Sequence, residues 1–305
     1  MKIVFMGTPE IAVPAFEALQ RQYGVAAAVC QPDKPVGRRQ VLTPPPVKLS
    51  TEKLGVPVFQ PASIRKDNQF LFDLKPELIV VMAYGKILPR EILELPRFGC
   101  VNLHASLLPK YRGAAPIQWA LYHGETETGI TAMQMDEGMD TGGILRYYPI
   151  AIEPDDDAVS LFRKLGELGG AVAGRTVELV TGGHAAPLPQ VNEAATMAPM
   201  IRREDALVSF AATGARQIVN AARAFSLWPG AYFIYNGQEV KLLKAVFHEQ
   251  EEVQPYGTVL STAPLCVSAK GGTVELVRVK PQGSREMTGS EFLAGRRLKK
   301  GDLLL

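Results

Sequence analysis

Short apolar runs alternate with stretches of helical spacing along the first half of the chain. Lys2–Gly7 (KIVFMG), Val25–Cys30 (VAAAVC), Glu77–Ala83 (ELIVVMA) and Cys100–His104 (CVNLH) read as strands buried on both faces. Ile11–Gln20 and Pro46–Leu54 carry helical patterns, and Pro9 suits a first helical turn, where its missing N–H is no loss. The alternation predicts an α/β fold, a Rossmann-like doubly wound, mainly parallel sheet. Gly129–Asp136 and Gly143–Ile152 read as two further strands joined by a tight loop, an antiparallel addition, and Asp157–Val180 as a closing helix. From His184 to about Asp205 the chain is rich in Ala and Pro with few periodic apolar positions, the pattern of a linker or extended crossing segment. Thr213–Ala224 then reads as an amphipathic helix. The runs AYFIY, EVKLLKAVF, GTVLS, LCVSA and TVELVRV follow at the spacing of a small OB-like β-barrel. The expected organisation is a domain over 1–184, a linker over 185–205 and a barrel domain over 206–305.

Composition narrows the class. With 305 residues, 47% hydrophobic and 21% charged, the chain suits a two-domain globular protein. Cys30, Cys100 and Cys266 lie far apart, with neither a disulfide framework nor zinc spacing, and no metal is expected. No leader or membrane-spanning run is evident, so a cytoplasmic location is expected. The net charge of +2 divides unevenly: residues 206–305 hold 12 Lys/Arg against 8 Asp/Glu. The excess fits a solvated surface or a face for nucleic acid. The first strand-to-helix turn, MGTPEIAV, lacks the glycines of a dinucleotide fingerprint, and no P-loop or G-x-S-x-G is present.

Chemistry gathers at three places. Asn102 and His104 share a face at the end of a strand, where open α/β sheets place ligands. Taken alone, the pair fits as well a satisfied buried histidine beside a turn-forming asparagine. DEGMDTGGIL (Asp136–Leu145) is a Gly-rich turn with Asp136 and Asp140, which by itself is ordinary turn chemistry. MAYGKILP (Met82–Pro89) ends a strand with backbone exposed at the same edge. Separately, Gln31–Lys48 is long for a strand-to-helix connection and carries Lys34, Arg38, Arg39 and Lys48.

NLHASLLPKYRGAAPIQWAL and MDEGMDTGGIL together resemble the signature and aspartate loop of the folate-dependent formyltransferases. MGTPEIAVPAFEAL, QPDKPVGRRQVLTPPPVK and RAFSLWPGAYF extend the resemblance over nearly the whole chain. They resemble most the branch of that family whose acceptor is initiator methionyl-tRNA. One departure is Ser209-Phe210, where members tend to carry an acidic residue or Asn followed by Trp. The resemblance implies 10-formyltetrahydrofolate as formyl donor. It also implies Asn102 and a cationic His104 at the oxyanion, with Asp140 orienting the histidine. Either His104 or Asp140 takes the amine proton. Backbone of Met82, Ala83, Tyr84 and Gly85, the Asp136 loop, and Ser106, Leu107, Leu108 and Pro109 are implied to hold the folate. Lys34, Arg38, Arg39 and Lys48, and in the second domain Lys299 and Lys300 with Lys241, Lys244, Arg296 and Arg297, are implied to face tRNA. The protein is expected to work as a monomer, away from membranes. The rival expectations are a relative acting on a sugar nucleotide or purine precursor, and a non-catalytic nucleic-acid-binding scaffold.

Overall fold

The apolar run at the start of the chain forms β1 (Ile3–Gly7), extended and buried on both sides. After it come α1 (Val13–Tyr23), β2 (Val25–Val29), β3 (Lys34–Val36), β4 (Val41–Thr43), α2 (Pro46–Lys53), β5 (Val58–Phe59), α3 (Gln69–Leu74), β6 (Leu78–Met82) and α4 (Arg90–Leu93). Next are β7 (Cys100–His104), β8 (Arg112–Gly113), α5 (Pro116–His123), β9 (Glu127–Gln134), β10 (Ile144–Ala151), α6 (Ala158–Thr181) and β11 (Met197–Ala198). The chain ends with α7 (Ala215–Ala224), β12 (Tyr232–Tyr235), β13 (Gln238–His248), β14 (Val259–Thr262), β15 (Leu265–Ala269), β16 (Gly272–Pro281), β17 (Met287–Thr288) and α8 (Gly289–Gly295). The structure, a computed structural model, describes residues 1–37, 39–183, 186–250 and 253–304. It divides into two compact units, one of Met1–Pro116, Glu127–Ala151 and Phe162–Pro199, the other of Ile117–Thr126, Ile152–Leu161 and Met200–Leu305.

The first unit is built on a seven-stranded sheet ordered β10-β9-β7-β6-β1-β2-β5. β7, β6, β1, β2 and β5 run parallel, β9 is antiparallel to β7, and β10 to β9. This is the mixed α/β sheet the alternation predicts. The chain leaves β1 in one direction for β2 and β5, then returns to the other side of β1 for β6 and β7. That reversal puts a crevice at the carboxyl ends of β1 and β6, where doubly wound folds bind ligands. Thr8 and Gln31 both donate to the Tyr84 carbonyl there, at 3.1 and 2.9 Å. The first helix begins two residues later than its apolar spacing suggests, because Glu10–Ala12 form a 3₁₀ turn. The Gln31–Lys48 connection contains the β3–β4 hairpin, whose residues are exposed on both faces and so carry no period-two signal.

Residues 188–198, within the expected linker, are tied to the first unit by backbone pairing at either end of a 3₁₀ turn, Asn192–Ala194. Leu188 pairs with Ile144, and β11 pairs in parallel with β8.

The second unit holds an antiparallel sheet ordered β12-β13-β16-β15-β14, with β17 on β16. The spacing suggested a barrel, but among the described residues no pairing joins β12 to β14. Closure requires the end strands to meet. Instead, β12 takes an isolated bridge from Leu207, and Thr258, just before β14, takes one from Leu303. Phe210, Phe233 and Phe292 stack edge to face in its core, with centroids 5.3 and 6.2 Å apart. Arg223 on α7 donates to the Asp156 and Glu153 carbonyls at 2.6 and 2.9 Å.

Candidate active site

β7 presents Asn102 and His104 on one face, with Leu103 between them on the other. Both polar side chains are buried, at 8% and 7% exposure, so each needs partners. His104 Nε2 lies 3.0 Å from the Tyr111 carbonyl. A carbonyl only accepts, so Nε2 carries the hydrogen and donates it. Nδ1 is left facing the Asp140 carboxylate, 3.6 Å away. Asn102 Nδ2 donates to the other Asp140 oxygen at 3.4 Å. The Gly113 N–H donates to Asp140 Oδ2 at 2.9 Å, a charge-assisted bond that fixes the carboxylate. The structure thus brings Asn102, His104 and Asp140 together from β7 and from the loop between β9 and β10.

The surrounding backbone is shaped to that end. Asp140, Tyr111 and Ala83 are non-glycine residues in the left-handed region, at φ 54°, 60° and 50°. Such conformations cost free energy and gather at functional sites. A Cβ on Gly142 would fall 1.8 Å from the Gln134 carbonyl oxygen, so the loop closes only with glycine there. Gly113 combines φ 123° with the Ala198 carbonyl 2.6 Å from where a Cβ would sit.

The positions expected to hold folate fall into two kinds. Ser106 is fully buried and donates to the Lys110 carbonyl at 2.7 Å, which makes it a fastener of its own loop. Thr131, paired with His104 across the sheet, donates to the Ser106 carbonyl and accepts from Leu108 N–H. Tyr147 donates to the Leu108 carbonyl at 2.8 Å. Leu108 packs with Met133 and Ile144, while Leu107 and Pro109 are half-buried. The Met82 and Tyr84 side chains are buried, whereas Ala83 and Gly85 are exposed at the crevice. Asp136 is exposed and ties its loop, accepting from Gly138 N–H and the Thr141 hydroxyl. An apolar wall beside backbone turned outward suits a flat heteroaromatic ring with amide-like edges. No cluster of side chains that could hold a metal ion occurs among the described residues.

The basic residues separate as well. Lys48 is bonded to both oxygens of Asp33 at 3.0 Å, and Gln60 donates to the same carboxylate at 2.7 Å. Bonds from Gln60 and Lys48 hold the Asp33 carboxyl below its usual range, and Asp33 raises the Lys48 ammonium. Lys48 is therefore the foot of the hairpin rather than part of its outer surface. Lys34 is exposed and donates to Gln31, Arg39 is exposed, and Arg38 lies outside the described residues. In the second unit Lys244, Arg297, Lys299 and Lys300 are exposed, Arg296 lies over the Phe292 ring, and Lys241 donates to the Pro229 carbonyl.

Two further polar residues belong here: Arg112, which falls within the quoted signature without a role assigned to it, and Gln190, which had no sequence signal. Gln190 lies in the segment read as a linker, and Arg112 in a loop tip, yet Arg112 is only 6% exposed and donates twice to Gln190 Oε1. A polar residue inside a Pro-flanked run (PLPQVN) looks like any solvated loop.

The formyl transferase family model matches residues 1–177, and the model of the formyl transferase C-terminal domain matches residues 200–297. A methionyl-tRNA formyltransferase of Caldanaerobacter subterraneus is 46% identical over 309 residues, covering all of both chains. One from Caldicellulosiruptor saccharolyticus is 44% identical over 314 residues, again covering both completely. Among solved structures, the methionyl-tRNA formyltransferase of Clostridium thermocellum superposes with a TM-score of 0.58 at 18% identity, over 82% of this chain and 95% of that one. An N-formyltransferase of Helicobacter canadensis, solved with folinic acid and dTDP-3-aminofucose, gives 0.65 at 18% identity over 94% and 100%. At that identity the structural likeness speaks for the fold alone.

Proposed function

The chain belongs to the formyl transferase family, and from that we propose that it transfers the formyl group of 10-formyltetrahydrofolate to the amino group of methionyl-initiator tRNA. The reading rests on the Asp140 carboxylate held on the Gly113 N–H between Asn102 and His104, in a chain alike end to end to proteins of that name.

The donor supplies a formamide-like carbonyl. An amine attacks it, and negative charge grows on the oxygen. The Asn102 amide is a preorganised donor for that charge, and one such donor is worth about 3–4 kcal/mol. His104, locked by Tyr111, turns Nδ1 toward the reacting atoms and Asp140. With a hydrogen on Nδ1 it is a second donor to that oxygen. The proton lost from the amine goes to the His104–Asp140 couple, which returns one to the folate N10 as the bond from N10 to the formyl carbon breaks and tetrahydrofolate leaves. No side chain forms a covalent intermediate. The crevice backbone at Ala83 and Gly85 and the wall at Leu107 and Leu108 take the folate ring. Lys34, Arg38 and Arg39 of the Gln31–Lys48 connection, and Lys299 and Lys300 in the second unit, contact tRNA phosphates. The second-unit sheet serves as an OB-like platform for the tRNA.

The test is release of tetrahydrofolate from 10-formyltetrahydrofolate with charged initiator tRNA, with free methionine, with an amino-sugar nucleotide or with no acceptor. Turnover with charged tRNA is expected. Turnover with the sugar nucleotide alone would overturn the acceptor assignment.

A further inference from the structure

Asp140 is held by more than its carboxylate. Gln190 Nε2 donates to the Asp140 carbonyl at 2.9 Å and to the Gly142 carbonyl at 2.8 Å, which closes the loop across its apex. Its Oε1 accepts from Arg112 Nε at 3.1 Å and from a terminal nitrogen at 2.8 Å, and that nitrogen also reaches Asn192 Oδ1 at 2.9 Å. Among the described residues no carboxylate is paired with Arg112, although it is buried. Its backbone is fixed in turn, because its N–H donates to the Thr196 carbonyl at 2.9 Å. The next residue, Gly113, donates the N–H that holds the Asp140 carboxylate. One brace therefore grips Asp140 at both ends: the carbonyl through Gln190, the carboxylate through the residue after Arg112.

We propose that Gln190, oriented by Arg112, is a positioning residue for the reaction, setting the Asp140 carboxylate against His104 and Asn102. The proposal rests on the reading that Asp140 serves formyl transfer. A left-handed aspartate relaxes when its clamp is lost. A carboxylate displaced by about 1 Å can cost on the order of 100-fold in turnover.

Gln190→Glu separates positioning from folding. Glutamate keeps the size and gains an ion pair with Arg112, but it meets the Asp140 and Gly142 carbonyls with an oxygen instead of an N–H. The expected result is a melting temperature near that of the parent, KM for 10-formyltetrahydrofolate and charged tRNA within about twofold, and kcat lower by roughly 10- to 100-fold. Gln190→Ala should lower kcat similarly with some loss of stability. Asp140→Asn is measured beside them, and Gln190→Glu is also made in that background, where it should cost less than about twofold further, because Gln190 acts through Asp140. Parental kcat in Gln190→Glu beside an inactive Asp140→Asn overturns the proposal and leaves the role of Asp140 standing. A full further loss in the double variant also overturns it. A fully active Asp140→Asn overturns both.

Discussion

His104 Nε2 is bonded to the carbonyl of Tyr111, a residue itself held in a left-handed conformation, so the histidine can exchange a proton toward Asp140 only through Nδ1. This bond makes the ring a fixed, one-sided group. Asn102→Ala, His104→Ala and Asp140→Ala should each lower kcat by about 100-fold or more while leaving the circular dichroism spectrum unchanged. The His104→Ala/Asp140→Ala pair should lose far less than the product of the single effects. A folded, fully active His104→Ala variant contradicts the mechanism.

The Lys48–Asp33 pair makes a second, sharper contrast. If Lys48 anchors the hairpin, Asp33→Asn and Lys48→Ala should have the same effect, a moderate loss in kcat/KM for charged tRNA. If Lys48 instead binds phosphate, Asp33→Asn would free its charge and improve tRNA binding. Asp33 has its pKa lowered on folding, so the clamp is complete above the ordinary carboxylate range and fails as pH falls through the lowered value.

Arg38→Ala and Arg39→Ala should weaken the reaction with charged tRNA and leave formyl-folate binding intact. Lys299→Ala/Lys300→Ala should lower tRNA affinity and flatten its dependence on salt, because each lysine withdrawn from a phosphate takes about one unit off the slope. Affinities at two salt concentrations check this. An unchanged slope would remove the second-unit lysines from the interface.

Phe210 is 1% exposed and its ring meets Phe233 edge to face at 5.3 Å. Phe210→Ala should destabilise the chain by about 3–5 kcal/mol, read from urea denaturation. Phe210→Trp should also destabilise, by about 1–3 kcal/mol, because the pocket is filled to the size of phenylalanine.

Burial pushes the Cys30 and Cys100 thiols up to about 12 and raises Cys266 as well. A folded thiol held neutral adds stability that is whole below the ordinary thiol pKa of about 8.5 and declines toward the folded value as pH rises. At about pH 8 a thiol reagent should modify the half-buried Cys266 first, and Cys30 and Cys100 only as the chain unfolds. Rapid labelling of all three in the native protein would contradict their burial.

Much of the first unit was legible in the sequence because its strands are apolar on both faces, and the Cys100–His104 boundaries agree with the structure to the residue. The hairpin formed by β3 and β4 was not legible, since both strands are exposed at every position and no periodicity results. The antiparallel sheet of the second unit was legible but its closure was not: strand spacing counts strands and does not say whether the last meets the first. Asn102, His104 and Asp140 were singled out by the resemblance of their two segments to the formyltransferase signature; taken alone, the pair fits a buried histidine beside a turn and the aspartate fits ordinary turn chemistry. Gln190 could not, because its importance lies in two backbone carbonyls that any sequence would offer.

The β11–β8 pairing and the Gln190 clamp have a consequence for the order of synthesis. On a ribosome, Asn102, His104 and Asp140 emerge well before residues 190–198, so a nascent chain can hold all three without the clamp that sets them. The stretch recognised by the first family model ends at residue 177, short of the clamp. A fragment cut there would keep Asn102, His104, Asp140 and the whole large sheet. It would still be an unfinished enzyme, completed only by a strip of chain that resembles a tether.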